Sequence, residues 1–202
     1  MNLTPPRLVL ASESLARRAI LDQAAVPFSA QKSDLAEEPI KQAGLARDRR
    51  PADIAMDLAE AKALKISRLD PEALVIGADQ TLEFETRLMD KATSLAEVRR
   101  RLHEMQGRWH TLHSALAMAR EGRIVWRYKD QARLLMRSLS NDFIDAYIGR
   151  EGEALLSIVG SYRLEGLGAQ LFDRVEGDYF TILGLPLWPL LEQLRAEGVI
   201  LR

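Results

Sequence analysis

Apolar positions along the chain follow two rhythms, short unbroken runs and a repeat of three to four residues, and the two alternate from end to end. Leu8 to Leu10 suit a buried strand at about 7 to 11, and Leu15, Ile20 and Leu21 open a helical repeat over about 14 to 25. "PFSAQKSDL" predicts a second short strand running into an acidic loop, and "EEPIKQAGLARDRRP", dense in charge and without apolar periodicity, reads as a loop ending at Pro51. Pro51 opens a long helix whose Ile54, Leu58, Ala61, Leu64 and Lys65 spacing predicts one apolar and one charged face. "ALVIGADQTLEF" is the strongest strand segment. Ser94 and Glu97 then make a capping-box pattern before a third helix, "LAEVRRRLHEM". Two strand-like stretches, about 109 to 119 and 123 to 137, are joined by "REGR", a tight hairpin, and a helix runs from Ser140 to about Arg150. The glycine-rich last third ends in an amphipathic helix from near Pro186. This order predicts an α/β fold in one domain spanning 1–202, with a mixed sheet because the hairpin is antiparallel.

Composition narrows the classes of function. In 202 residues, 28 basic side chains nearly cancel 29 acidic ones, so no global field draws the chain to a nucleic acid polymer or an anionic membrane surface. The expectation is no nucleic acid and no membrane partner, and any anion must be gripped locally. The chain has no cysteine, which removes disulfides, thiolate nucleophiles and cysteine-bearing zinc sites and fits a reducing compartment. The N-terminus lacks a secretory pattern and no apolar run approaches a membrane span, so the expected location is cytoplasmic.

Candidate chemistry lies in polar islands at element ends. In "ASESLARR", Ser12 and Ser14 fall where a strand turns into a helix, with Arg17 and Arg18 one turn inside, so hydroxyls, unpaired N–H groups and a guanidinium can seat a phosphate. An N-cap serine with two surface arginines explains the same residues. "SDLAEE" supplies Asp34, Glu37 and Glu38, and "IGADQ" supplies Asp79 and Gln80. Carboxylates on separate segments can converge on Mg²⁺ or Mn²⁺ or orient a water, and equally can be solvated loop charge. Asp79 stands out because it directly follows an apolar run, where a carboxylate needs a partner. Lys62 and Lys91, each taken alone, read as surface lysines. His110 and His113, with one further histidine, make no convincing zinc set.

The order and wording of these islands resemble the Maf family of nucleoside triphosphate pyrophosphatases, also called septum-formation inhibitors. The matching stretches are "LASESLARRAIL", "SDLAEE", "LAEAKA", "LVIGADQ", "MDKA", "GSYRLEGLGAQLFDRVEGDY" and "GLPL", which cover nearly the whole chain. The resemblance implies a mixed α/β fold with an elongated sheet, flanking helices and a central cleft, similar to the inosine triphosphate pyrophosphatases, and often a homodimer. It implies hydrolysis of a nucleoside triphosphate between the α and β phosphates with a divalent cation, Mg²⁺ or Mn²⁺. By position it makes Ser12, Ser14 and Arg17 phosphate-holding residues with Arg18 as a helper, Glu37 a metal-site acid, Lys62 and Lys91 phosphate-binding lysines, and Asp79 the catalytic aspartate and a metal ligand. A nucleotide-binding regulator of cell division with little turnover, and a protein-interaction factor in which the motifs are remnants, remain as rival readings.

Three departures from the family pattern bear on activity. Leu15 replaces a common proline, Ala16 replaces a larger residue, and Asp90-Lys91-Ala92 replaces Gly-Lys-Pro, so an acidic neighbour is expected to weaken the grip of Lys91. Base choice falls to Gln80 and Glu165. Glu165 stands where the resemblance gives glutamine in the pyrimidine branch and glutamate in the 7-methyl-GTP branch. A carboxylate can accept from guanine N1–H and the exocyclic amine together, whereas Ala16 offers no ring to stack on a methylated purine. The expectation is a guanine-like or modified purine substrate.

Overall fold

The computed structural model describes residues 5–201. Its backbone is one seven-stranded mixed sheet flanked by helices. The strands are β1 (Leu8–Leu10), β2 (Ser29–Ala30), β3 (Leu74–Phe84), β4 (Arg87–Met89), β5 (Trp109–Arg120), β6 (Arg123–Met136) and β7 (Phe172–Glu176). The helices are α1 (Leu15–Gln23), α2 (Glu37–Leu45), α3 (Pro51–Leu69), α4 (Leu95–Met105), α5 (Asn141–Glu151), α6 (Tyr179–Ile182) and α7 (Leu187–Ala196). Strand order is β2-β1-β3-β5-β6-β7, with β4 folded back on β3. β1 pairs in parallel with β2 and β3, and the remaining pairs are antiparallel, which makes the sheet mixed as expected. Glu121 and Gly122 join β5 to β6 with φ of 51° and 69°, the left-handed pair that a two-residue hairpin needs. No helix among the described residues is long and apolar enough to cross a membrane.

The middle of β3 divides the core. Alternate side chains of a strand share a face, and on one face of β3 Leu74, Ile76 and Ala78 join a cluster with α1 and α7, while Leu82 and Phe84 join another with α4, α5 and the start of β5. Gln80, between them, belongs to neither. The opposite face carries Gly77, Asp79 and Thr81 against α3, where Thr81 Oγ1 donates to the Pro51 carbonyl at 2.9 Å. A Cβ on Gly77 would lie 2.0 Å from the Ala59 carbonyl oxygen and 2.7 Å from the Ala63 nitrogen. Glycine at 77, with Ala59 and Ala63 opposite, therefore brings helix backbone almost onto strand backbone.

That approach rotates α3 relative to the sequence expectation. Ile54 and Leu58 are buried as expected, and with them Ala55, Ala59, Lys62, Ala63 and Ile66, while Ala61, Leu64 and Lys65 are only partly covered. Small residues take the sheet side because only they allow the contact. The stretch from Glu37 to Pro51, read from sequence as a loop, also needs correction, since Glu37–Leu45 is α2. Glu37 and Glu38 complement the positive end of its dipole, and Pro39 falls in the first turn, where its missing N–H is not needed. Gly44 lets this helix press on Ile54 of α3. The second strand is shorter than "PFSAQKSDL" suggested. It is limited to Ser29–Ala30 because β1, its neighbour, ends at Leu10.

His110 and His113, three apart on β5, point to opposite faces. His113 Nε2 lies 2.8 Å from Glu83 Oε2, while buried His110 Nε2 lies 2.7 Å from Tyr162 Oη. Burial pushes the His110 imidazole down to about 4. The ring is therefore neutral when folded, and the unfolded chain binds the extra proton first as pH falls below about 6.5. Urea midpoints are expected to drop between about pH 6.5 and 4 by the equivalent of about 3 kcal/mol, with a shallower decline in His110→Phe. Gly77→Ala is expected to lower stability by about 3 kcal/mol or more, since neither backbone can move aside alone. An unchanged urea midpoint for that variant would contradict the close packing described.

Candidate active site

A cleft of about 980 Å³ opens where β3 divides the core. That volume matches the upper range for small-molecule sites. Its walls carry Ser12, Ser14 and Arg17 from the β1–α1 junction, Glu37 from α2, Lys62 from α3, Asp79 and Gln80 from β3, Lys91 from the turn after β4, and Glu165 from the loop before β7. All but one of the residues singled out from sequence are thus brought together. The exception is Arg18, exposed on α1 and outside the cleft lining.

At the centre, the Lys62 ammonium lies 2.5 Å from Asp79 Oδ1 and 2.7 Å from Glu37 Oε1. Lys62 and Asp79 are buried, each with a side chain about 10% exposed, whereas the Glu37 side chain is 40% exposed. The pair exists because Gly77 brings α3 onto β3 two residues before Asp79. Burial raises the Asp79 carboxyl above its ordinary value although Lys62 and Arg17 pull it down. Burial also acts to raise Glu37, but Lys62, Lys91 and Lys41 together outweigh it and hold that carboxyl low. Two neighbouring carboxylates are thereby set apart, one held ionised and one with a raised proton affinity.

The β1–α1 junction is a capped helix start. Ser14 Oγ accepts from the Arg17 N–H at 3.4 Å, and the Ser14 N–H donates to Ser12 Oγ at 3.2 Å. Arg17 is buried. Its Nε donates to the Gly184 carbonyl at 2.9 Å, and its Nη1 donates to the Ala78 carbonyl at 2.8 Å and to Ser12 Oγ at 3.3 Å. Nη2 has no hydrogen-bond partner among the described residues, and it is the part of the fork left for a ligand. Gln80 is fixed similarly, its Nε2 donating to Ser114 Oγ and to the Thr181 and Ile182 carbonyls. Glu165 is exposed on the cleft rim. Its loop is anchored by Gly168, where a Cβ would meet the Arg163 carbonyl oxygen at 2.5 Å, and by Arg163 Nη2, which donates to Glu151 at 2.5 Å.

Two features escaped the sequence reading. Lys41 lies one turn after Glu37 on α2 and also lines the cleft, bonding Glu38 at 2.9 Å and Asp90 at 2.5 Å. Its spacing from Glu37 is a helical one, and it has meaning only because Glu37–Leu45 is a helix. Asp90, the acidic neighbour of Lys91, therefore meets a countercharge from the facing wall. The second feature is Arg101, buried beneath the Lys91 turn.

Comparison with known proteins gives the family. The Maf-like protein profile matches residues 7–197. The chain belongs to the Maf family. It is 53% identical to a nucleoside triphosphate pyrophosphatase of Caulobacter vibrioides, covering 99% of both chains. It is 46% identical to a 7-methyl-GTP pyrophosphatase of Rhizobium meliloti, covering 96% of this chain and 98% of that one. A 7-methyl-GTP pyrophosphatase of Brucella abortus is 44% identical over the same shares. The cleft of this Maf protein is built from the stretches that carry the family wording, "ASES", "SDLAEE", "AEAKA", "GADQ" and "MDKA".

Removing Lys62 leaves Asp79 buried without its cation. Lys62→Met is expected to cost about 3 kcal/mol at pH 7, a typical loss for breaking a buried pair. The cost should shrink on acidification, because a protonated Asp79 no longer needs the ammonium. Urea melts at pH 7 and pH 5 measure it, and an equal cost at both would contradict the assignment.

Proposed function

We propose that this protein hydrolyses a nucleoside triphosphate between the α and β phosphates, releasing the monophosphate and pyrophosphate with Mg²⁺ or Mn²⁺. The observation that carries the reading is the Lys62 ammonium shared by Glu37 and Asp79 inside a cleft of triphosphate size. A triphosphate brings roughly four negative charges at neutral pH, which demand countercharge in a partly dry site. Lys62 and Lys91, with Arg17 Nη2 and the serines of the α1 cap, supply it. As the α–β bond breaks, negative charge grows on the leaving pyrophosphate, and the lysines stabilise that charge more than they stabilise the bound substrate.

Glu37 and Asp79 also fit a divalent cation. Mg²⁺ takes hard oxygen ligands and is usually held by one or two carboxylates with substrate phosphates and waters. Such an ion would neutralise phosphate charge and polarise the phosphoryl oxygens. Asp79, whose raised proton affinity suits a base, orients the attacking water and accepts its proton. Glu37, held ionised, keeps its charge for the cation.

The base is read at the rim. Glu165 can accept from guanine N1–H and the exocyclic amine, so a guanine-like substrate, including 7-methyl-GTP, is the preferred class. The names of the relatives support both the general reaction and this narrower one. A homodimer in a cytoplasmic setting belongs to the same reading, supported by the family resemblance and the absence of cysteine.

Pyrophosphate release from GTP, 7-methyl-GTP, UTP and dTTP tests the reaction and ranks the bases. Asp79→Asn is expected to lower kcat by about 10²- to 10⁴-fold, the usual contribution of a general base. The acid limb of the wild-type pH profile should be lost in Asp79→Asn, because the active form is the Asp79 carboxylate. Glu165→Gln should reduce the preference for guanine over uracil. Nucleotide binding without release, or a clear wild-type preference for pyrimidines, would contradict the respective claims.

A further inference from the structure

Arg101 is a buried guanidinium that the chemistry above does not use, with only 7% of its surface exposed. It sits on the buried side of α4, and its contacts lead to the turn that carries Lys91. Nη1 donates to the Asp90 carbonyl and Nη2 to the Lys91 carbonyl at 3.4 Å. The rest of the fork is held by Glu97, one helical turn earlier, at 3.1 Å from Nε and 2.6 Å from Nη2. Glu97 in turn accepts from the Thr93 N–H and the Thr93 hydroxyl, both at 2.8 Å. These donors and Arg101 push the Glu97 carboxyl down to about 2, so it stays ionised across the working range.

The turn is therefore wired to α4 at three points, the carbonyls of Asp90 and Lys91 through Arg101 and the N–H of Thr93 through Glu97. The capping-box pattern read from Ser94 and Glu97 serves this purpose in part. Ser94 Oγ caps the Glu97 N–H at 3.2 Å, but the Glu97 carboxylate reaches Thr93 and Arg101 rather than closing the box on Ser94. Lys41 binds the Asp90 carboxylate from α2, so the turn is also tied to the wall that bears Glu37. Where the family pattern has proline after the lysine, this chain has Ala92, which leaves φ unrestricted by a ring. A planar fork contacting two adjacent carbonyls fixes the direction of the peptide between them, which a flexible lysine in its place could not do.

We infer that Arg101 is a positioning residue for phosphate binding, holding the Asp90-Lys91 turn so that the Lys91 ammonium meets the leaving pyrophosphate of the substrate. The inference rests on the proposed reaction for its substrate but not for its test. Arg101 itself does not touch the phosphates. Its whole effect passes through Lys91, and that separates it from a residue that only stabilises α4.

A double-mutant cycle on affinity for inorganic pyrophosphate with Mg²⁺, measured by titration calorimetry, decides the matter without requiring turnover. Arg101→Met is expected to weaken binding about tenfold when Lys91 is present and less than twofold in the Lys91→Ala background, the non-additivity of residues acting as a unit. Arg101→Lys, which keeps the charge but loses the fork, should fall between wild type and Arg101→Met and carries the cycle if the methionine variant does not fold. An equal loss in both backgrounds, or no loss in either, would overturn the inference. Triphosphate hydrolysis by the same wild-type protein is scored separately. Turnover with an additive cycle removes only the role of Arg101, and a coupled cycle without turnover removes only the enzymatic reading.

Discussion

One ammonium group ties the walls of the site together. Lys62 sits between Asp79 of β3 and Glu37 of α2, and it can do so only because α3 lies against the strand with no side chain at Gly77 to separate them. Burying a lysine beside a carboxylate carries a desolvation cost that such a pair repays only with short, well-directed contacts. Both contacts are present. In the proposed reaction that cost has a use, because a phosphate chain would let Lys62 exchange a carboxylate for a phosphate oxygen and leave Glu37 and Asp79 for a divalent cation.

The rest of the architecture serves that exchange. A strand of eleven residues is long enough to enter two hydrophobic clusters, and its polar middle falls between them. α1 and α7 secure one end, and α4 and α5 secure the other. The cleft opens along the edge of β3 at residues 77–81, past the end of its pairing with β1 and before its pairing with β4, so that Gln80 reaches it from one face and Asp79 from the other. Charged and polar side chains reach it from four directions, each from a segment held by contacts to backbone: Arg17 through the Gly184 and Ala78 carbonyls, Gln80 through the Thr181 and Ile182 carbonyls, Glu165 in a loop closed by the Gly166 N–H on the Arg163 carbonyl, and Lys91 through Arg101. Preorganisation of this kind lets fixed charges act on a phosphate chain without rearranging during the reaction.

Much of this was legible in the chain, and what was not has physical causes. The order of strands and helices, the hairpin at Glu121-Gly122 and the start of α3 at Pro51 follow from local rules that tertiary contacts did not override. Asp79 was visible because a carboxylate directly after an apolar run needs a partner. Lys62 was less so. Helical periodicity weighted Leu64 and Lys65 over alanines, and the sheet-facing row turned on Ala59 and Ala63, whose merit is absence of bulk. α2 was hidden by its own charge, and with it Lys41, which answers Asp90. Arg18, adjacent to Arg17 and chemically identical, points away from the cleft because neighbours on a helix do not share a face.

The most direct test of this account is a crystal structure with Mn²⁺ and a nucleoside triphosphate analogue blocked between the α and β phosphates, with the metal located by its anomalous signal. The account predicts Mn²⁺ within bonding distance of Glu37 and Asp79, and the Lys62 ammonium moved onto a phosphate oxygen. A metal elsewhere in the cleft, with Lys62 still bridging the two carboxylates while the nucleotide is bound, would contradict it.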